Sequence, residues 1–116
     1  MDPAFSLKLN SDFRRLYTRG KRAVSPCAVV YCRKNRLGHN RCGYTVSKKL
    51  GKAVVRNRIR RRLREIVRLN QNRLAQGYDL IVVARSRAVT ADYRRLEADV
   101  LQSCRQLRLI TEDVQP

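Results

Sequence analysis

The sequence predicts one α+β domain over residues 1–116, with elements in the order α-β-β-β-α-β-α and a single, mainly antiparallel four-stranded sheet. Three observations predict it. Apolar residues recur at helical spacing in three separate stretches, β-rich or continuously apolar runs lie between them, and 116 residues can bury a core without covalent staples. A hydrophobic content of 43% supports a packed interior despite 31% charged residues.

Residues 1–9 read as irregular. Asn10 or Ser11 is placed to cap a short helix ended by Gly20, and Phe13, Leu16 and Tyr17 share one face of it. Residues 23–33 are β-rich, with Pro26 marking an edge, a bend or a break. Within that run Cys27, Val29 and Tyr31 fall on one face. Asn35, Gly38 and Asn40 make residues 34–40 a turn, and the strand at 41–47 is expected to pair with its predecessor as a hairpin.

A long helix follows from residue 53 to 73 or 75, with Ile59, Leu63, Ile66 and Val67 as its buried stripe. Beyond Gly77, Asp79-Leu80-Ile81-Val82-Val83-Ala84 has the continuous apolar character of a strand covered on both faces. Thr90 is placed to cap a last helix, on which Leu96, Val100, Cys104 and Leu107 align. The ordered core is expected to span about 10–107, with the tail 108–116 frayed.

Charge says most about the partner. The chain carries +18, and Arg supplies 21 of its 27 basic residues. The guanidinium fork grips phosphate at two points, where Lys acts as a point charge. Between Lys48 and Arg68 lie ten Lys or Arg and one acid, Glu65. At ~100° per residue, Ile59, Leu63, Ile66 and Val67 cluster within about a third of the helix circumference. Arg58, Arg60, Arg61, Arg62, Arg64 and Arg68 fill the rest, and Arg56, Arg60, Arg64 and Arg68 stack like charges at i, i+4. Folding alone gives no reason to accept that repulsion; a polyphosphate partner relieves it.

Duller readings are weaker. Solvated charged faces normally mix signs, and here Glu65 is the only acid. A membrane-surface helix would carry Trp or Phe, absent between residues 48 and 76. A phosphate-binding P-loop ending in Gly51-Lys52 would need Gly at 46 and Ser or Thr at 53, where the chain has Val46 and Ala53. No apolar run approaches the ~20 residues of a membrane span, and the N-terminus lacks the apolar stretch of a signal peptide. No membrane partner and a cytoplasmic location are therefore expected.

Cys27, Cys32, Cys42 and Cys104 are then expected as reduced thiols. Cys27, Cys32, His39 and Cys42 raise zinc as a candidate, but an odd separation within one β run puts Cys27 and Cys32 on opposite faces. They read as small buried hydrophobes. His39 lies in a turn and the nine acids are scattered, so no protein catalytic residue and no protein metal site are expected. Phe13, Tyr17 and Tyr31 can stack single-stranded bases if the first helix crosses the sheet with room between; plain core packing is the alternative.

Arg41-Cys42-Gly43-Tyr44-Thr45-Val46-Ser47-Lys48-Lys49, then Gly51-Lys52-Ala53-Val54, then Arg56-Asn57-Arg58 with Arg60, Arg61 and Arg64, resembles the signature of the bacterial ribonuclease P protein subunit. The likeness runs from about Asn10 to Leu107. It implies a two-layer α/β sandwich whose basic helix sits in a left-handed β-α-β crossover, contrary to the general right-handed rule. It also implies two RNA partners, the catalytic RNA subunit and precursor tRNA, whose 5′ leader the holoenzyme removes, with no obligate protein partner. Lys48, Lys49, Lys52, Arg56, Asn57, Arg58, Arg60, Arg61 and Arg64, with Arg68 on the same helix, are the candidate contacts to the catalytic RNA and the site near cleavage. Phe13, Tyr17 and Tyr31 match the cleft that holds the leader, and the Mg²⁺ of the reaction would be held mainly by RNA. Three features depart from the pattern: Lys8 is the sole base among the first nine residues, Glu112 and Asp113 close the tail, and Arg62 stands where an apolar residue is common. A ribosomal or general structured-RNA-binding protein is the rival reading.

Overall fold

The computed structural model describes residues 6, 7 and 9–110. Its elements are α1 (Asn10–Arg19), β1 (Lys21–Val24), β2 (Ala28–Lys34), β3 (Arg41–Thr45), α2 (Ala53–Leu69), β4 (Tyr78–Ala84) and α3 (Tyr93–Gln106), the expected order. The strands form one sheet in the order β1-β2-β4-β3. β1 pairs with β2 and β2 with β4, both antiparallel, whereas β3 runs parallel to β4.

The expected hairpin therefore does not form. Leu80, Ile81 and Val82 are all fully buried, so β4 occupies the interior of the sheet and separates β2 from β3. With its apolar run the strongest of the four, that strand excludes its neighbours from each other, and β3 takes the edge. The β3-α2-β4 unit, with β3 and β4 parallel, is consistent with the left-handed crossover that the resemblance implies.

Alternation along the strands sorts the interior into two clusters. Ala28, Val30 and Cys32 of β2, Leu80 and Val82 of β4, and Cys42 of β3 face α2 and α3 in the main core. Ile81 faces the other way, against Leu7 and Leu16, with Phe13, Tyr31 and Val83 around it. Thus α2 and α3 make the helical layer of the sandwich, and α1 crosses the opposite sheet face without covering all of it. On α2 the buried residues are the expected Ile59, Leu63, Ile66 and Val67. Leu96, Val100 and Cys104 of α3 are buried as expected, and Leu107 packs partly buried against the same core.

Local chemistry corrects several expectations. Leu9, not Asn10 or Ser11, holds the N-cap position of α1, with no side-chain cap. Asp92 rather than Thr90 caps α3, accepting the Arg95 N–H at 2.8 Å. α2 stops at Leu69 because the Asn70 side chain donates back to the Ile66 carbonyl at 2.7 Å and to Glu97 at 3.1 Å. Gly20 ends α1 through close packing: a Cβ there would meet the Leu16 and Cys32 carbonyl oxygens at 2.6 and 2.9 Å.

Cys27 precedes β2 and joins the same core cluster as Cys32, so the opposite-face argument does not hold for it. Its N–H donates to Asp99 at 2.8 Å instead of following strand alternation. All four thiols are buried and free. Neither terminus is as irregular as expected where it is described. Ser6 bridges Cys42 in parallel register, and the Leu7 N–H donates to the Cys42 carbonyl at 3.0 Å. Leu109 and Ile110 are buried, and Ile110 bridges Leu74, so the core extends past residue 107. Lys8, Glu112 and Asp113 lie outside the described residues. No described helix is long and apolar enough to cross a membrane.

Candidate nucleic-acid interface

β3 leads directly into the basic segment. The Ser47 side chain accepts the Lys49 N–H at 3.2 Å and caps a 3-10 turn, Lys48–Leu50. Gly51 follows at φ +146, a conformation that L side chains rarely adopt, and turns the chain into α2 at Lys52. Lys48, Lys49 and Lys52 project exposed around the helix N-terminus, whose first turn contains no acid. Positive side chains here add to the positive end of the helix dipole and make a setting for phosphate.

Along α2, Asn57, Arg58, Arg61, Arg64 and Arg68 are exposed, while Arg56, Arg60 and Arg62 are half-buried. Some guanidinium groups already have partners. Arg56 donates to the Gly51 carbonyl at 3.1 Å, Arg60 to Asn57 at 2.9 Å and Arg62 to the Ala91 carbonyl at 3.3 Å. These neutral acceptors orient the group without cancelling its charge, and each guanidinium keeps donors to spare. Arg62 thereby ties α2 to the loop before α3.

Arg68 differs. It grips Glu65 through two bonds of 3.0 and 2.8 Å, which holds that carboxyl below its usual range and lifts the guanidinium pKa. Arg64 lies 5.9 Å from the Tyr44 ring centroid, over its face. Among the described residues Lys48, Lys49, Lys52, Arg58 and Arg61 form no side-chain hydrogen bond or ion pair.

The three aromatic candidates come together on the opposite sheet face. The Tyr17 hydroxyl shares a 3.1 Å hydrogen bond with Thr45, and Tyr17 meets Tyr31 edge-on. Phe13 lies over Gly43, where an added Cβ would stand 2.6 Å from the ring. Phe13 and Tyr31 are half-buried, while Tyr17 is 42% exposed. Cross-strand register extends this surface along Val24, Val29, Val83 and Thr45, of which Val24 is exposed and the others half-buried. Only Val46 and Ser47 separate Thr45 from Lys48, a span of at most ~11 Å. The aromatic surface and the cationic turn are therefore neighbours.

Sequence reasoning did not find the clamp at the head of this surface. Arg41 donates to both Asp79 oxygens at 2.9 and 2.8 Å, which raises its pKa, and lies 3.8 Å from Asp12 on α1. Asn35 donates to Asp79 at 3.0 Å. Arg41 and Asp79 face each other only because β3 and β4 are parallel, a pairing with no linear signal. Gly43 did carry a signal, since an isolated glycine within a strand marks close approach.

Comparison with known proteins agrees with this geometry. The family model described as "Ribonuclease P" matches residues 1–108. The chain belongs to the ribonuclease P protein family. The ribonuclease P protein component of Alkaliphilus oremlandii is 41% identical over 108 residues, covering 93% of this chain and 95% of that protein. The ribonuclease P protein of Staphylococcus aureus superposes with a TM-score of 0.85 at 31% identity, covering 92% of this chain and 98% of that one. Its counterpart from Thermotoga maritima gives 0.78 at 32% identity, covering 84% and 92%.

Proposed function

We propose that this chain binds the catalytic RNA of ribonuclease P and the 5′ leader of precursor tRNA, and so assists Mg²⁺-dependent endonucleolytic removal of the leader. One observation carries the reading: an exposed cationic helix, its charge hardly offset, adjoins a partly open aromatic surface. Arg58, Arg61 and Arg64 with Lys48, Lys49 and Lys52 hold phosphates of the folded RNA, with Asn57 fixing Arg60 beside them. Phe13, Tyr17 and Tyr31 give the leader bases flat apolar surfaces, which suits leaders of different sequence. Together they align the leader with the RNA and screen phosphate repulsion where the two meet.

The described carboxylates do not fit a magnesium site. Asp12 and Asp79 face Arg41, Glu65 faces Arg68, Glu97 accepts from Asn70, Asp92 caps α3, and Asp99 takes the Cys27 N–H and Arg95. In this reading the metal belongs to the RNA subunit and substrate, and the chain contributes binding and orientation. Assay of the purified protein with precursor tRNA tests it. Protein alone leaves the precursor intact and the matching RNA subunit restores cleavage at low Mg²⁺; robust cleavage without RNA overturns the reading.

A further inference from the structure

β3 separates two recesses. Gly43 and Thr45 point to the aromatic surface, while Cys42 and Tyr44 point to the other side, where a groove of about 930 Å³ opens between β3 and the C-terminal half of α2. Cys42, Tyr44, Val67 and Leu74 form its apolar lining, and Arg61 and Arg64 stand at its rim. Its size lies in the ordinary range for small-ligand sites. The one acid lining it, Glu65, is already gripped by Arg68, so the uncompensated charge at its mouth is positive.

Arg61 and Arg64 also border a shallower recess with Val54, Asn57 and Arg60 on the outer side of α2. The same two guanidinium groups thus face both the phosphate-binding surface and the groove. Arg64 is held at the groove by the Tyr44 ring. At the far end Asn72 is exposed and makes no side-chain hydrogen bond among the described residues, leaving amide donors and an acceptor free for a polar edge. A flat apolar body, a polar edge and an attached anion are the chemistry of a nucleotide.

We propose that the groove takes one unstacked nucleotide of the bound RNA, with its base against Tyr44 and Leu74 and its phosphate between Arg61 and Arg64. This rests on the RNA-binding reading of α2 given above. The nucleotide leaves the RNA stack and turns beneath α2 while the flanking backbone continues along the outer arginines. It adds a base contact to phosphate contacts, which position the helix on the RNA but carry no sequence information.

The test is the affinity of the protein for its RNA subunit as a function of salt, for the native chain, Asn72→Trp and Tyr44→Leu. Asn72→Trp fills the groove from an exposed position, and a thermal melt of each variant verifies folding. Both substitutions are expected to weaken binding about tenfold at every salt concentration, with an unchanged slope of log K against log salt, because Arg61 and Arg64 keep the phosphate from the outer side of α2 and only the stacked base is lost. Native affinity in folded Asn72→Trp overturns the proposal while leaving the α2 reading intact, as does a loss accompanied by a shallower slope. Failure of the native chain to bind the RNA subunit overturns the α2 reading itself. Self-association of the free protein that Asn72→Trp abolishes would assign the groove to a second copy and contradict the nucleotide.

Discussion

The Tyr17 ring meets the Tyr31 ring edge-on, with centroids 4.9 Å apart and planes at 88°. This contact joins α1 to β2 and leaves Tyr17 partly open to solvent. An aromatic pair inside a core would be covered on all sides; this one borders a surface. Tyr31→Ala is expected to weaken binding of leader-bearing precursor about tenfold and to spare mature tRNA. Filter binding of the two RNAs to the assembled enzyme checks it, and equal losses would assign Tyr31 to packing.

Gly43 holds Phe13 in place by having no side chain. In Gly43→Ala the new methyl would stand 2.6 and 2.9 Å from two Phe13 ring carbons and 3.4 Å from Leu7, so the ring must move. Leader binding is expected to fall several-fold, with a stability loss of about 1–3 kcal/mol. Adding Phe13→Leu is expected to recover the stability but not the leader affinity. Chemical denaturation and precursor binding measure the two effects separately.

Arginines on one helix are not equal. Arg58 has no partner among the described residues, while Arg68 is occupied by Glu65. Arg58→Ala is expected to weaken RNA-subunit binding and to reduce the salt slope by about one unit. Arg68→Ala exposes an unpaired Glu65 and is expected to reduce the slope less than Arg58→Ala. An unchanged slope in Arg58→Ala would show that this residue does not meet phosphate.

Periodicity made the helices legible, because Ile59, Leu63, Ile66 and Val67 are spaced as one stripe and are the residues that α2 buries. It also put Phe13 and Tyr17 on one helix face and Tyr31 on a strand face, but left open whether those two faces meet or simply pack into a core. Partner choice among strands was not legible. The turn after β2 looks like a hairpin connection, and although the two-sided burial of β4 was legible, only the sheet order shows that this strand intervenes. Residues whose roles depend on that order were hidden with it: Arg41 finds Asp79 across the parallel pair, and Tyr44 and Leu74 line the same groove. Helix ends failed for a local reason, since Asn70 and Asp92 act through side-chain hydrogen bonds that several nearby residues could have made.

Burial pushes the Cys42 and Cys104 thiols up from an ordinary value of 9.0 to about 11 and about 12. The unfolded chain releases these protons at lower pH than the native protein does. Stability contributed by the protonated thiols is therefore fully present below pH 9 and is lost as pH rises towards 11 and 12. Denaturation across this window is expected to show a fall that becomes shallower in the Cys42→Ala, Cys104→Ala double variant. An equal slope in both proteins would mean that the thiols are solvated in the native state.

The central claim is that the arginine surface of α2 lies against folded RNA. Its most direct measurement is arginine modification by phenylglyoxal, read peptide by peptide in the free protein and in its complex with the RNA subunit. Arg58, Arg61 and Arg64 should react in the free chain and become protected in the complex. Equal modification of all three in both states would contradict the account.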